Sequence, residues 1–216
     1  MANQISDISA LRREYAATGL HQADLNADPF AQFQLWLDKA REAHPDDATS
    51  MTLATADSEG RPAARIVLLK HFDSHGFCWF TDFRSEKGQH LEQNPYAELM
   101  FYWYGLDRQV RIRGPVEQLE YAFGERYFNE RPLGSRLSAA VSHQSSTVDS
   151  RATLEKAVSE MSAQNPDGKI ACPDTWGGYR LIPERFEFWQ GRENRLHDRF
   201  VYALEDGKWQ TCRLQP

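Results

Sequence analysis

Cysteine is scarce in this chain: Cys78, Cys172 and Cys212 are the three among 216 residues. They are odd in number, far apart and without C-x-x-C spacing, which excludes a disulfide framework and a structural zinc site. The seven histidines are scattered without ligand spacing, so no metal is expected. No apolar run approaches the roughly 18–20 residues that span a bilayer, and no membrane contact is expected. The opening, MANQISDISALRREY, lacks the basic start and apolar stretch of a secretory leader. A soluble, cytoplasmic protein is the expectation. A basic surplus is missing too. The chain has 25 Lys and Arg against 31 Asp and Glu, for a net charge of −6, which argues against nucleic acid as partner. No G-x-G-x-x-G follows a strand pattern, and no P-loop or nucleophile elbow is present, so a doubly wound dinucleotide fold fits poorly.

What is present suffices for one real core: 41% hydrophobic and 12% aromatic residues. In ADPFAQFQLWLDKAREAH, Asp28 is an N-cap and Pro29 opens a helix. Phe30, Phe33, Leu37 and Ala40, with Trp36 beside them, form its apolar stripe, and Pro45 ends it. Strand patterns follow in MTLATAD, AARIVLLKHF and FCWFTDF, divided by turn compositions too short for crossover helices. SEKGQHLEQNP reads as a short helix capped by Ser85. YAELMFYWY and RQVRIRGPVEQLE read as a hairpin with a bend at Gly114-Pro115. Residues 121–164 are mostly helical, broken at Pro132 and in SHQSST, and the tail returns to strands in GGYRLIPERFEFWQ, RLHDRFVYAL and KWQTCRLQ. About eight strands with short turns and a helical insert predict a closed antiparallel barrel.

Four groupings could carry chemistry, and each has a plain reading beside the functional one. In RIVLLK, Arg65 and Lys70 leave opposite faces of a strand, either as solvated ends or as grips on two different phosphates. In TDFRSEKGQH, Ser85 and Lys87 at a helix start make an anion site or an ordinary cap. In YFNERPLGSRLS, Tyr127, Arg131 and Ser135 recur every four residues around Pro132. Phenol, guanidinium and hydroxyl suit phosphate oxygens, though most such groupings are surface. In EFWQGRENRLHDRF, Arg195, His197 and Arg199 alternate, so a strand would aim all three from one face beside Trp189. The flanking cations lower the proton affinity of His197, which predicts a neutral imidazole near pH 7. These residues support a barrel that binds phosphorylated aromatic small molecules, and by themselves they name no reaction.

The same segments, RIVLLKHF, RQVRIRG, SHQSS, WGGYRL and FWQGRENRLHDRF, in this order from LRREY to the final RLQP, closely resemble the pyridoxine 5′-phosphate oxidase family. The resemblance implies a mainly β fold with helices, an FMN-binding split β-barrel that is antiparallel and Greek-key-like with a helical insert. It implies a single domain over 1–216, with 1–20 a mobile N-terminal segment and 121–165 the insert. It implies a homodimer with FMN at the subunit interface. The implied reaction oxidises pyridoxine or pyridoxamine 5′-phosphate to pyridoxal 5′-phosphate, a hydride equivalent passing from C4′ to flavin N5 and O₂ becoming hydrogen peroxide. Carried over by position, Arg65, Ile66, Val67, Leu68, Leu69, Lys70, Phe80, Thr81, Lys87, Gln109, Gln144, Ser145, Trp189 and Arg199 fall to the flavin. Lys70, Tyr127, Arg131 and Ser135 fall to the substrate phosphate. Arg195 and His197 fall to the pyridine ring as the catalytic pair, and Arg12, Arg13, Glu14 and Tyr15 to a segment closing the site. One departure stands out, because the family commonly reads Ser-Arg-Lys where this chain has Ser85-Glu86-Lys87. Glu86 is expected to turn to solvent, with Arg84 compensating and FMN held less tightly. A related split-barrel flavin reductase and a non-catalytic pyridoxal phosphate carrier are the competing readings.

Overall fold

The computed structural model describes residues 14–15 and 19–216; most of the expected mobile segment 1–20 lies outside them, as do Arg12 and Arg13. Asp28 accepts a hydrogen bond from the Phe30 N–H at 3.0 Å and Pro29 sets the first turn, so α1 (Pro29–Ala43) begins where its capping chemistry directs. Its buried stripe of Phe33, Trp36, Leu37 and Ala40 enters the main core. Phe33 lies 5.0, 4.9 and 5.1 Å from the ring centroids of Phe72, Phe77 and Phe101, an edge-on aromatic cluster that ties the helix to three strands.

The strands are β1 (Ser50–Ala56), β2 (Pro62–Leu68), β3 (His71–Asp73), β4 (Gly76–Asp82), β5 (Tyr96–Trp103), β6 (Arg108–Gln118), β7 (Trp176–Leu181), β8 (Arg185–Gln190), β9 (Asp198–Glu205) and β10 (Lys208–Leu214). All their pairings are antiparallel. One path runs β10-β9-β8-β6-β5-β1-β2, and a second joins β6 to β7, β4 and β3. There are ten strands where about eight runs were legible, because two of those runs change partners midway. AARIVLLKHF divides at Leu69-Lys70: β2 pairs with β1, and the Lys70 N–H then donates to the Cys78 carbonyl of β4. GGYRLIPERFEFWQ divides at Pro183. Strand β6 also serves two partners, with β8 up to Arg113 and β7 from Val116. A Cβ on Gly114, between those halves, would strike the Ile182 carbonyl oxygen, so the predicted bend at Gly114-Pro115 is a crossing point that requires glycine. These partner changes curl the sheets into a split barrel.

The helical elements fall as expected. Ser85 caps α2 (Glu86–Gln93), and α3 (Tyr121–Glu130), α4 (Leu133–Val141) and α5 (Arg151–Gln164) form the insert. The insert packs over a small second core of Phe128, Leu137, Ile170, Cys172 and Trp176. No described helix is long and apolar enough to cross a membrane. At the other edge of the barrel, β2 ends the strand path, and its Ile66 and Leu68 are 66% and 43% exposed.

Candidate functional site

The end of β2, the end of β4, the start of α2, the α3–α4 junction and the segment after α4 surround a cavity of about 730 Å³. At its α2 side Lys87 is buried, and Nζ donates to Gln144 Oε1 at 2.7 Å and to the hydroxyls of Thr81 and Ser85, each at 3.2 Å. Burial, reinforced by the nearby Arg65 guanidinium, lowers the Lys87 pKa to about 8. Arg65 donates from Nη1 to Thr55 Oγ1 at 2.7 Å and from Nη2 to Glu86 Oε2 at 2.9 Å. Glu86 therefore does not simply turn to solvent, and Arg84 does not compensate. Arg84 is fixed on the buried carboxylate of Asp82 at 2.7 Å and on the Ser142 carbonyl at 2.8 Å.

On the α3–α4 side the helix breaks because Pro132 cannot continue α3, and Arg131 is the C-cap of α3, already in extended backbone. Tyr127 and Ser135, from the two helices, thus face one cavity with Arg131 and Lys70. The Phe80 ring stacks on Tyr127 at 4.1 Å and on Trp176 at 5.7 Å, and the Arg131 guanidinium sits 4.8 Å over Trp176. Arg131 Nη1 is buried without a hydrogen-bond partner among the described residues. A buried, unsatisfied cationic donor is expensive unless an anion meets it.

Thirteen of the sequence-derived residues line this cavity: Arg65, Ile66, Val67, Leu68, Lys70, Phe80, Thr81, Lys87, Tyr127, Arg131, Ser135, Gln144 and Ser145. Leu69 does not, and its side chain belongs to the core. Gln109, Trp189 and Arg199 lie elsewhere, yet together. Gln109 pairs across to Trp189, and Trp189 to Arg199, so residues from β6, β8 and β9 form one row on one face. Arg199 is anchored in that row by Glu187, whose oxygen accepts at 2.7 and 2.9 Å.

The alternation expected over Arg195, His197 and Arg199 does not hold. Strand β9 begins at Asp198, and Arg195 lies in the preceding turn with φ +63°, following Asn194 at +55°. Asn194 tolerates this left-handed backbone, and the turn swings Arg195 out of the strand to an exposed position. It still meets its group by another route, because its guanidinium is 5.7 Å from the Tyr15 ring, which packs edge-on against His197 at 5.2 Å and Trp189 at 5.6 Å. Gly191 makes room, since a Cβ there would lie 2.6 Å from that ring. The pKa of His197 is lowered as expected, but burial is the larger cause and Arg195 the lesser, with Asp198 opposing. His197 Nδ1 accepts the Arg192 N–H at 3.1 Å, which assigns the proton of the neutral ring to Nε2.

Sequence reasoning passed over Asp82, Trp176 and Glu187. Asp82 and Trp176 line the cavity, and both were in quoted segments, TDFRSEKGQH and WGGYRL. Glu187 is buried within 2.7, 3.4 and 3.7 Å of Arg199, Arg185 and Arg111. Its signal was available as a carboxylate two positions before Trp189 on the same strand face.

Comparison with known proteins covers nearly the whole chain. Residues 37–165 match the family described as "Pyridoxamine 5'-phosphate oxidase", and residues 176–216 match "Pyridoxine 5'-phosphate oxidase C-terminal dimerisation region". The pyridoxine/pyridoxamine 5′-phosphate oxidase of Rippkaea orientalis is 49% identical over 97% of this chain and 100% of its own. That of Ralstonia pickettii is 49% identical over 98% of this chain and 100% of its own. Among solved structures, PhzG from Burkholderia lata, in complex with tetrahydrophenazine-1-carboxylic acid, superposes with a TM-score of 0.86 at 29% identity. That match covers 93% of this chain and 99% of PhzG. A pyridoxamine 5′-phosphate oxidase-related, FMN-binding protein from Nostoc punctiforme shares the fold, with a TM-score of 0.72 at 20% identity over 89% of this chain and 100% of its own. By sequence along nearly its whole length, and by the barrel it forms, the chain belongs to the pyridoxamine 5′-phosphate oxidase family of enzymes.

Proposed function

We propose that the protein is an FMN-dependent oxidase that converts pyridoxine 5′-phosphate, with O₂, to pyridoxal 5′-phosphate and hydrogen peroxide. Pyridoxamine 5′-phosphate, with O₂ and water, gives the same aldehyde and peroxide plus ammonia. The observation that carries this reading is the buried Nη1 of Arg131, without a partner among the described residues, in the same cavity as Lys70, Tyr127 and Ser135. Such a donor set, three of whose members come from the α3–α4 junction far in sequence from Arg65 and Lys87, is more than one phosphorylated ligand needs. The residues present also fit a flavin phosphate, because Lys87 is held by neutral oxygens and Arg65 sits within reach of the same wall.

In this reading Arg65, Lys87, Thr81, Gln144 and Ser145 hold FMN, with Gln109, Trp189 and Arg199 contributing from the sheet row. FMN, when bound, supplies the two-electron acceptor that O₂ restores. Lys70, Tyr127, Arg131 and Ser135 bind the substrate phosphate and thereby fix the position of C4′, the carbon oxidised. Arg195 lies against the pyridine ring and stabilises the charge that develops there. His197 offers Nε2–H as a donor to a ring substituent. The segment through Glu14 and Tyr15 closes the site, and Tyr15 supports this by its contacts with Trp189 and His197.

None of Gln109, Trp189, Arg195, His197 and Arg199 lines the cavity that holds the phosphate-binding groups. This division supports a homodimer in which each cavity is completed by the second group of the partner subunit, with FMN at that interface. The match of residues 176–216 to a dimerisation region agrees with it. A cytoplasmic location is supported by three unpaired thiols, one of them on the exposed Cys212.

The test is oxygen uptake by the purified, flavin-loaded protein with pyridoxine 5′-phosphate, and with unphosphorylated pyridoxine as control. Expected is saturable uptake with peroxide formed, and kcat/KM at least ~10²-fold lower without the phosphate. Anaerobic bleaching of the flavin by the phosphorylated substrate without NAD(P)H separates the oxidase from a reductase. Uptake that ignores the phosphate, or bleaching that needs NAD(P)H, refutes the assignment. The PhzG complex shows tetrahydrophenazine-1-carboxylic acid on a protein of this fold, and the same control discriminates against such unphosphorylated ligands.

A further inference from the structure

The donors at the α2 end of the cavity are held in unequal ways. Lys87 is tied to three neutral oxygens, and the Glu86 N–H donates to Ser145 Oγ at 3.2 Å. Arg84 is fixed on a carboxylate that is itself buried, since the Asp82 side chain is 7% exposed. Arg65 differs. Its charged partner, Glu86, is 59% exposed and reaches in from the first residue of α2. That carboxylate has solvent on one side and one guanidinium on the other, so it leaves with little penalty, and half-exposed pairs of this kind are weak. It also cancels one of the two cations that an incoming phosphate would meet on this wall.

We propose that Glu86 is a built-in competitor for the flavin phosphate. A phosphate monoester gains Arg65 only as the Glu86 carboxylate swings out to water, so this side chain sets the affinity for phosphorylated flavin and leaves that for the dephosphorylated flavin unchanged. The inference rests on the FMN reading given above and deepens it. Binding becomes an exchange of one anion for another at Arg65. Removing the resident anion frees Arg65 and removes the repulsion between a carboxylate and a phosphate dianion. The selectivity of this exchange for phosphate follows from its locality, because Glu86 touches the Arg65 guanidinium and α2, not the aromatic stack of Phe80, Tyr127 and Trp176.

The experiment uses the full-length protein stripped of flavin and titrated separately with FMN and with riboflavin, followed by flavin fluorescence. Wild type is compared with Glu86→Gln and Glu86→Ala. Both variants are expected to bind FMN on the order of tenfold more tightly, with riboflavin changed by less than about twofold. The FMN-induced rise in melting temperature should grow in step. FMN affinity unchanged or weakened in both variants overturns the competitor role and leaves the oxidase reading intact. Equal tightening for riboflavin also overturns it, because the effect would then not be one of phosphate. Wild-type protein that binds neither flavin overturns the oxidase reading and this inference with it.

Discussion

Burial holds Lys87 at a pKa of about 8, down from its ordinary 10.5. Between these values the folded protein binds fewer protons at this site than the unfolded chain, so the contribution of Lys87 to stability rises with pH across that window. A bound phosphate dianion favours the charged ammonium and reverses the shift. FMN binding should therefore take up a proton above about pH 8, and the Kd should rise with pH there from its value near pH 7, where ammonium and phosphate dianion are both mostly formed. Calorimetric titrations in buffers of different ionisation heat will count that proton, and Lys87→Gln should abolish both the uptake and the slope. A Kd independent of pH from 7 to 10 would contradict this account. Arg195 makes a different kind of claim. Exposed in its left-handed turn and set against the Tyr15 ring, it is proposed to act in turnover and not in holding flavin. Arg195→Ala is expected to lower kcat by roughly 10²–10³-fold with the FMN Kd unchanged. Steady-state kinetics beside a flavin titration separates the two quantities.

Where strands change partners, the chain has little tolerance. At Gly114 the two halves of β6 diverge toward β8 and β7, while the Ile182 N–H bonds the Pro115 carbonyl and the Glu184 N–H bonds the Arg113 carbonyl. Gly114→Ala drives a methyl group into the Ile182 carbonyl held between those bonds. We expect a loss of about 2–3 kcal/mol, or roughly 5–10 °C in Tm, measured by thermal unfolding. The same corner marks how far the sequence could be read. Composition and alternation revealed every strand run, each helix of the insert and the bend itself, since these depend on local pattern. They did not reveal that β2–β3 and β7–β8 each divide, because a partner change leaves period-2 alternation nearly intact. The turn itself was legible in GREN, Gly191 to Asn194, but its extension through Arg195 to Asp198 was hidden for the converse reason. From Arg195 on, its letters alternate as a strand would, and a left-handed pair of residues, with Arg195 set against the Tyr15 ring, overrode the pattern. Glu86 shows the same limit: its pairing with Arg65, 21 residues away, is set by how α2 packs on β1, the partner strand of β2.

Over the molecule as a whole, the net charge of −6 conceals a cationic cavity: Arg65, Lys70, Lys87 and Arg131 line it against Asp82 and Glu86. An acidic exterior around a cationic pocket excludes polyanions while focusing field on a small anionic ligand. The pocket holds only part of the proposed machinery, and the row Gln109–Trp189–Arg199 with Arg195 and His197 lies outside it. If two-fold symmetry brings the second group of one subunit to the cavity of the other, defects in the two groups are complementary. Arg131→Ala and Arg195→Ala homodimers should each be nearly inactive. In a mixed dimer, one cavity then receives both defects and the other receives neither. Dissociating equal amounts of the two variants and reassociating them at random makes half of the dimers mixed, each with one intact site, so about a quarter of wild-type turnover should return. If the two groups instead serve a site within one chain, every site in the mixed dimer keeps one defect. Turnover then stays at the level of the parents, and the composite site is ruled out.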